Sequence, residues 1–220
     1  MSEERIEIAE NGPYGVTGAA LLRMRKVLSD AGEPIDWERR GPIDADAEYW
    51  LCRCGGSSDK PFCDGTHAEN GFDGTETAER GPTAERRKEY AGETIVLTDD
   101  ESLCEHAAFC VAGESSAWKL TRRGDSEEER ERVLHMVACC PSGRLEARDP
   151  GGEEPIEPDL PTEIAVVDHG PLWVRGGIPV VAADGHEYEV RNRVTLCRCG
   201  ASKNKPFCDG SHADVEFRDA

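Results

Sequence analysis

Two stretches of the sequence repeat each other, and each holds three cysteines and one histidine at the same spacing. The phrase CRCGGSSDKPFCDGTH spans residues 52–67, and CRCGASKNKPFCDGSH spans residues 197–212. Thiolate and imidazole groups are the usual side-chain ligands of zinc and iron in proteins. The repetition therefore predicts two metal sites. Their candidate ligands are Cys52, Cys54, Cys63 and His67 in the first stretch and Cys197, Cys199, Cys208 and His212 in the second.

The spacing within each stretch divides the four ligands into two pairs. In the second stretch, Cys197 and Cys199 point the same way on an extended backbone, because side chains alternate along it. Cys208 and His212 lie one helical turn apart and share a face. Asp209 is predicted to be the N-cap of the short helix that carries His212. Two pairs of ligands suit the two adjacent irons of a [2Fe–2S] cluster in which one histidine replaces a cysteine.

A structural zinc ion is the alternative for the same ligands. Three cysteines and one histidine bind zinc tetrahedrally, but zinc sites favour C-x₂₋₄-C spacings over C-x-C. A neutral imidazole donates less charge than a thiolate, and it takes up a proton near neutral pH. A [2Fe–2S] cluster held in this way should therefore have a raised potential and a pH-sensitive stability.

Both stretches resemble the CDGSH iron–sulfur domain of the mitoNEET-like family. They match its signature, C-x-C-x₂-S-x₃-P-x-C-D-G-[ST]-H, at every specified position. The resemblance implies one [2Fe–2S] cluster per motif, with the histidine on the exposed iron, and a role in redox chemistry or cluster transfer. Members of this family often pair two motifs through a shared β-cap. The resemblance therefore implies that the two copies pair within this chain as a pseudo-dimer.

A further set of cysteines lies between the two copies, in LCEHAAFC and then MVACCPSGRLEARD. Bacterial ferredoxins use C-x₂-C-x₂-C with a distant C-P. When this template is laid on Cys104, the second ligand falls on Ala107, the third on Cys110 and the C-P cysteine on Cys140. One of the four ligands is therefore missing.

The same cysteines resemble a divergent single-cluster ferredoxin-like family with the pattern C-x-H-x₃-C … C-P-S-G-x-L. The resemblance implies a [3Fe–4S] cluster on the three cysteines, or a [4Fe–4S] cluster with an unusual fourth ligand. Cys139 and His106 are the two candidates for that ligand. Because adjacent cysteines rarely both reach one small cluster, Cys139 is also interpreted as a buried thiol.

The elements around the cysteines are predicted from the same repetition. GPYGVTG at 12–18 matches GPLWVRG at 170–176, and β-branched runs with turn residues follow the second copy. We therefore predict strands near 14–18, 20–28 and 47–51 and near 172–175, 178–182 and 187–196. The first copy holds additional residues, SDAGEPIDWERRGPIDAD at 29–46, which are predicted to form a turn-rich loop.

The region between the copies is predicted to contain a helix bounded by linkers. SEEERERVLHMVACC begins with a capping box formed by Ser126 and Glu129, and Pro141 ends the helix. GPTAERRKEYAG at 81–92 and DPGGEEPIEPDLP at 149–161 are interpreted as linkers. The predicted fold class is α+β, with three units: a β-rich first repeat (1–82), a ferredoxin-like middle segment (83–150) and a β-rich second repeat (151–220).

Composition excludes several classes of partner. The chain has 220 residues and a formal net charge of −19, and such an acidic surface repels phosphate backbones and anionic lipids. No apolar run approaches the roughly 20 residues of a membrane span, and MSEERIEIAE has no signal-peptide pattern. A cytoplasmic location is expected, without nucleic-acid or membrane partners. Ten cysteines in that reducing compartment are expected to bind metal rather than form disulfides.

These observations favour an electron-transfer protein that meets a redox partner protein. The alternative is a labile-cluster sensor, or a protein that hands its cluster to an apo iron–sulfur acceptor; a structural zinc protein is the third hypothesis. The sequence contains no phosphate loop or dinucleotide fingerprint, which favours a non-enzymatic protein over an enzyme. A monomer with intrachain pairing of its repeats is expected.

Overall fold

The computed structural model describes residues 4–123 and 126–219 and has the predicted α+β class, with small sheets and few helices. The first repeat contains β1 (Arg5–Ile8), β2 (Tyr14–Thr17), β3 (Ala20–Leu28), β4 (Pro34–Pro42) and β5 (Glu48–Leu51). The middle segment contains β6 (Lys88–Ala91), β7 (Val96–Asp99), β8 (Val111–Ala112), β9 (Ser115–Ser116), α1 (Ala117–Arg123), α2 (Glu127–Ala138) and β10 (Leu145–Arg148). The second repeat contains β11 (Glu163–Val167), β12 (Leu172–Arg175), β13 (Val180–Val181), β14 (Arg193–Leu196) and α3 (Ser211–Asp214).

The two repeats exchange strands between two sheets. One sheet has the order β13-β1-β2-β5, and the other has the order β14-β12-β11-β3-β4. Ile6 of β1 pairs in parallel with Val180 of β13, and Ile164 of β11 pairs in parallel with Leu21 of β3. The four-stranded sheet therefore takes β13 from the second repeat, and the five-stranded sheet takes β3 and β4 from the first.

One hydrophobic core lies between these two sheets. It joins apolar side chains that alternate along strands of both repeats, and these include Ile6, Leu51, Ile164, Leu172 and Leu196. All five residues of β11 are buried, because the outer face of its sheet is covered as well. There, Trp37 of β4 packs against Trp173, with ring centroids 5.1 Å apart, and against Phe109 of the middle segment at 4.9 Å.

The middle segment has a small sheet and a core of its own. The sheet has the order β10-β7-β6, and α1 and α2 pack on it. Its core is formed by Ile95, Leu97, Ala117, Leu120, Val133, Met136, Val137, Leu145 and Ala147. Within the described ranges, no helix is both long and apolar enough to cross a bilayer.

The prediction of a turn-rich loop over 29–46 was wrong, because half of this segment forms β4. Its backbone pairs antiparallel with β3 from Pro34 to Pro42, with two register shifts. β4 is an edge strand with no fully buried residue, so its sequence shows no clear hydrophobic alternation. Both prolines lie at its ends, where a missing N–H removes no bond from the interior of the ladder.

Three other boundaries differ from the sequence predictions. The second half of the linker predicted at 81–92 forms β6, which hydrogen-bonds to β7 as an edge strand. The strands predicted at 178–182 and 187–196 shorten to β13 and β14, because the intervening chain forms turns, including one in which the Gly185 N–H donates to the carbonyl of Ala182.

The predicted α2 cap is confirmed: Ser126 Oγ accepts the Glu129 N–H. In the described chain, residues 149–162 contain neither helix nor strand, as predicted for a linker.

The two repeats also meet at the cysteine loops. Cys54 and Cys199 form an antiparallel bridge between the repeats. Gly55 has φ 77°, and a Cβ built on it would lie 2.5 Å from the carbonyl oxygen of Cys199. Gly200 is its counterpart, with a Cβ position 2.6 Å from the carbonyl oxygen of Cys54. Both positions need glycine for conformation and for space.

Substituting one of these glycines should separate the two requirements. Gly32→Ala is the matched control, because Gly32 has φ 79° and nothing within 4 Å of its Cβ position in the described chain. The control should cost about 1–2 kcal/mol from backbone strain. Gly55→Ala should cost about 1–3 kcal/mol more, because a side chain is forced against backbone. Equal shifts of the denaturation midpoint in the two variants would contradict a close contact between the repeats here.

Candidate metal centres

The first repeat site (Cys52, Cys54, Cys63 and His67) is built on the loop that follows β5. The Sγ atoms of Cys52 and Cys54 lie 3.8 Å apart. The Sγ of Cys63 lies 3.4 Å from Nδ1 of His67, which sits on a single 3₁₀ turn at Thr66–Ala68. The structure therefore brings together both ligand pairs that the spacing predicts.

The second repeat site (Cys197, Cys199, Cys208 and His212) follows β14 and has the same arrangement. The Sγ atoms of Cys197 and Cys199 lie 3.7 Å apart, and Sγ of Cys208 lies 3.4 Å from Nδ1 of His212. In both sites the histidine offers Nδ1, so Nε2 remains available for another contact. Two pairs of soft and borderline donors fit a two-iron cluster.

An aspartate organises each loop, although not as the predicted N-cap. The cap of α3 is Gly210 in the left-handed conformation, and no side chain caps the helix there. Asp209 instead bridges the loop: Oδ1 accepts the Ser211 N–H at 3.0 Å, and Oδ2 accepts the Lys203 N–H at 2.8 Å. In the first repeat, hydrogen bonds donated by Ser58 and Thr66 hold the pKa of the equivalent Asp64 well below its usual range. The carboxylate therefore stays ionised and fixes the turn before the histidine.

Hydrogen bonding in the second repeat site favours an anionic sulfur. The pKa of Cys197 is lowered to about 6, first by the hydrogen bond from Cys199 and then by backbone N–H groups of Ser202 and Gly200, against the effect of burial. The hydrogen bond that the Cys199 thiol donates, together with burial, raises its own pKa. Burial, with Glu105 nearby, also raises the pKa of Cys208. A bound cation would offset this burial cost, because thiolates are the form that binds metal.

The middle site (Cys104, Cys110 and Cys140) surrounds a cavity of about 230 Å³. All three cysteines line it, on a loop and at the end of α2, and Arg144 lies on its wall. Arg144 is held by Asp99, with Nε 2.7 Å from Oδ1, and its cation lies beside Cys104. Burial raises the pKa of Cys110 to about 11. Three thiols and one cation suit an anionic iron–sulfur cluster in this cavity, which Glu105, His106 and Ser142 also line among mostly apolar residues.

The two candidates for a fourth ligand occupy different places. His106 lines the cavity, whereas Cys139 does not. Sγ of Cys139 instead lies 3.7 Å from Nε2 of His135 and 4.0 Å from Oδ1 of Asp36. Burial raises its pKa to about 12, which fits the interpretation of Cys139 as a buried thiol.

Sequence reasoning missed two kinds of buried charged residue at the repeat sites. Glu105 is 4 % exposed, and a carboxylate oxygen of it groups with Cys208 and His212, the three potential ligand atoms lying within 4.8 Å of one another. Burial raises its pKa to about 7. The arginine inside each C-x-C is also buried: Arg53 donates to the Gly74 carbonyl, and Arg198 to those of Gly170 and Val167. The sequence did contain one sign of these arginines, because the residue between the two cysteines is arginine in both copies.

Comparison with family models assigns all three regions. Residues 11–68 and 169–213 match the model described as iron-binding zinc finger, CDGSH type. Residues 90–150, between them, match the model described as divergent 4Fe-4S mono-cluster. No curated protein and no solved structure was found to match the chain.

Proposed function

Because two CDGSH-type segments flank a divergent 4Fe–4S segment, this chain is an iron–sulfur protein, and we propose that it acts in electron transfer. The observation that carries the proposal is that three separate sets of thiols converge in one chain, each with the ligand chemistry of an iron–sulfur cluster. Such clusters accept and release single electrons when bound. The partner is then a redox protein, and a cytoplasmic location fits the free cysteines.

Each repeat site would hold a [2Fe–2S] cluster through its two ligand pairs. Cys52 with Cys54 would hold one iron, and Cys63 with His67 the other. The backbone N–H groups that point at Cys197 would stabilise charge on the second cluster in the same way that they stabilise its thiolate. The loop aspartates keep the turns fixed, so that little reorganisation accompanies a change of charge.

The middle site would hold a third cluster on Cys104, Cys110 and Cys140. His106 is the preferred fourth ligand of a [4Fe–4S] cluster, because it lines the cavity and Cys139 does not. A [3Fe–4S] cluster on the three cysteines is the alternative. In either case Arg144 would supply a positive charge next to the cluster.

The two repeats would act as a covalent pseudo-dimer. The exchange of strands between the sheets and the bridge between Cys54 and Cys199 support this pairing. Tyr14 adds a direct link, since its hydroxyl donates to the carbonyl of Cys197 at 2.7 Å. A protein that satisfies this pairing internally is expected to sediment as a monomer.

Cluster transfer to an apo iron–sulfur acceptor is the second candidate function. One observation favours it: Cys63 and His67 are partly exposed, so their iron would lie near the surface. A transfer protein should lose its cluster to apo-ferredoxin within minutes to hours, whereas an electron carrier should keep it through repeated cycles of reduction and oxidation.

The deciding measurement is the content of iron, acid-labile sulfide and zinc in anaerobically purified protein. Two [2Fe–2S] clusters require about 4 iron per chain, and a filled middle site raises this to about 7 or 8. We expect the higher iron content. The sulfide content should equal the iron content if the clusters are [2Fe–2S] and [4Fe–4S], and dithionite should bleach the visible absorbance reversibly. Zinc without sulfide would contradict the proposal and leave a structural metal protein.

A further inference from the structure

The middle segment lies against only one of the two repeat sites. A Cβ built on Gly210 of the second repeat would lie 2.7 Å from Cδ2 of His106 and 3.1 Å from the carbonyl oxygen of Glu105. The equivalent glycine of the first repeat is Gly65, and there no heavy atom of the described chain lies within 4 Å, apart from its immediate neighbours. The two glycines have nearly the same φ, 88° and 92°. The difference is therefore in what covers them and not in the loops themselves.

Burial differs in the same direction at one of the four equivalent ligand positions, while the other three positions have the same burial in both sites. Cys208 is 1 % exposed, whereas its counterpart Cys63 is partly exposed. The carboxyl group of Glu105 approaches Cys208 and His212, and its Oε1 has no hydrogen-bond partner. Among the described residues, no comparable group of acidic, histidine and cysteine side chains includes Cys63 or His67. The loop that carries Cys104 thus lies against Cys208 and His212 of the second repeat site.

This contact is fixed by three side chains of the second repeat. Arg193, which is 1 % exposed, donates to the carbonyls of Val137 and Cys140 at the C-terminal end of α2. Such a cation also suits the negative end of the helix dipole. Arg191 donates to the carbonyl of Ser142 at 2.9 Å. Asn204 donates to the carbonyl of Ser102 at 2.9 Å.

The first repeat cannot make the same contact, because it has an acidic residue at each equivalent position. The register of the two copies aligns Asp46 with Arg191, Glu48 with Arg193 and Asp59 with Asn204. Each of the three second-repeat side chains donates hydrogen bonds to carbonyl oxygens, whereas ionised carboxylates only accept them. One middle segment can cover only one site, and the differences between the two copies at these three positions decide which site it covers.

We propose that the middle segment is a fixed cover over the second repeat site, which makes the first repeat site the one that exchanges electrons or cluster with an outside partner. The second repeat site and the middle site then lie on opposite sides of one short loop, because residues 104–106 contact both. This inference deepens the proposed function and rests on it for the identity of the bound group. The cover itself is a property of the chain.

The test measures the release of each site separately in the purified holoprotein. A chelator and iodoacetamide are added together, and mass spectrometry follows alkylation of the cysteine peptides of each site. We expect alkylation of Cys52, Cys54 and Cys63 at least about tenfold sooner than that of Cys197, Cys199 and Cys208, because reactivity follows exposure. Equal rates, or faster alkylation of the second set, would overturn the proposal. Iron and sulfide assays on the same sample show separately whether the bound group is an iron–sulfur cluster.

Paired variants connect the difference to the cover. Arg191→Asp with Asn204→Asp gives the second repeat the residues of the first at two of the three positions, and it should raise the alkylation rate of the second repeat site severalfold. Asp46→Arg with Asp59→Asn is the control and should leave the first-site rate unchanged. The first-site rate also reports whether the Arg191 and Asn204 variant is folded. No change in the second-site rate of a folded variant would contradict the cover.

A second pair of variants does not alter these polar contacts. Gly210→Ala and Gly65→Ala impose the same backbone strain at equivalent positions, but only the alanine at 210 pushes against His106. Gly210→Ala should therefore increase the alkylation rate of the second repeat site by a larger factor than Gly65→Ala increases that of the first. Equal factors would mean that strain alone acts, and that His106 does not cover the site.

Discussion

Cluster loss from each repeat site should become almost independent of pH when its histidine is replaced by cysteine. In the unaltered protein a proton competes with iron for the imidazole, so cluster loss should accelerate as the pH falls. His67→Cys and His212→Cys each remove that proton acceptor from one site. A thiolate also donates more charge than an imidazole, so the potential of the altered site should fall by on the order of 100 mV.

The pH at which the second site responds depends on its surroundings. Burial first, and then the positive charges of Lys26 and Arg198, lower the pKa of His212. A lowered pKa keeps the neutral, metal-binding imidazole present to a more acidic pH than for an ordinary histidine near about 6.5. The acid-induced loss that depends on His212 should therefore begin below that value and increase as the pH falls.

The measurement is the rate at which the visible absorbance of the cluster decays in buffers of different pH, together with a redox titration. His186→Cys is the control: His186 lies outside all three ligand sets, so this variant gains a thiol and should keep the original pH profile. If the pH dependence of cluster loss persists in the double variant at 67 and 212, the histidines are not its source.

Cys140→Ser should remove about 3–4 iron per chain, whereas Cys139→Ser should remove none. The two residues are adjacent in sequence, but only Cys140 lines the cavity with Cys104 and Cys110. Loss of one of three cysteine ligands leaves too few thiolates to hold a cluster there. Cys139 lies beside His135 and Asp36, so its replacement changes a separate polar contact.

Iron, sulfide and EPR spectra of the two variants test this prediction. The [2Fe–2S] signals should survive in both, which confirms that the protein is folded. His106→Ala adds a second comparison: if His106 is the fourth ligand, the variant should contain about 3 iron at the middle site in place of about 4. An equal loss of iron in Cys139→Ser and Cys140→Ser would show that the cavity does not define the cluster site.

Features that depend on short stretches of chain were predictable from the sequence. The two ligand pairs of each repeat site lie two and four residues apart, so local backbone geometry alone brings Cys197 next to Cys199 and Cys208 next to His212. The cap of α2 at Ser126 is local for the same reason. The α+β class followed from β-branched runs beside one clear helical stretch.

Features that depend on contacts between distant residues were decided by the tertiary structure. β4 was missed because an edge strand exists through its pairing with β3 and needs no hydrophobic pattern of its own. Glu105 has no motif, and it becomes part of the second repeat site only because the middle segment docks there. The sequence by itself determined the two equivalent ligand sets. The fold brings the middle segment against one of them, because Arg191, Arg193 and Asn204 reach carbonyl groups that lie 49 to 102 residues away in the chain.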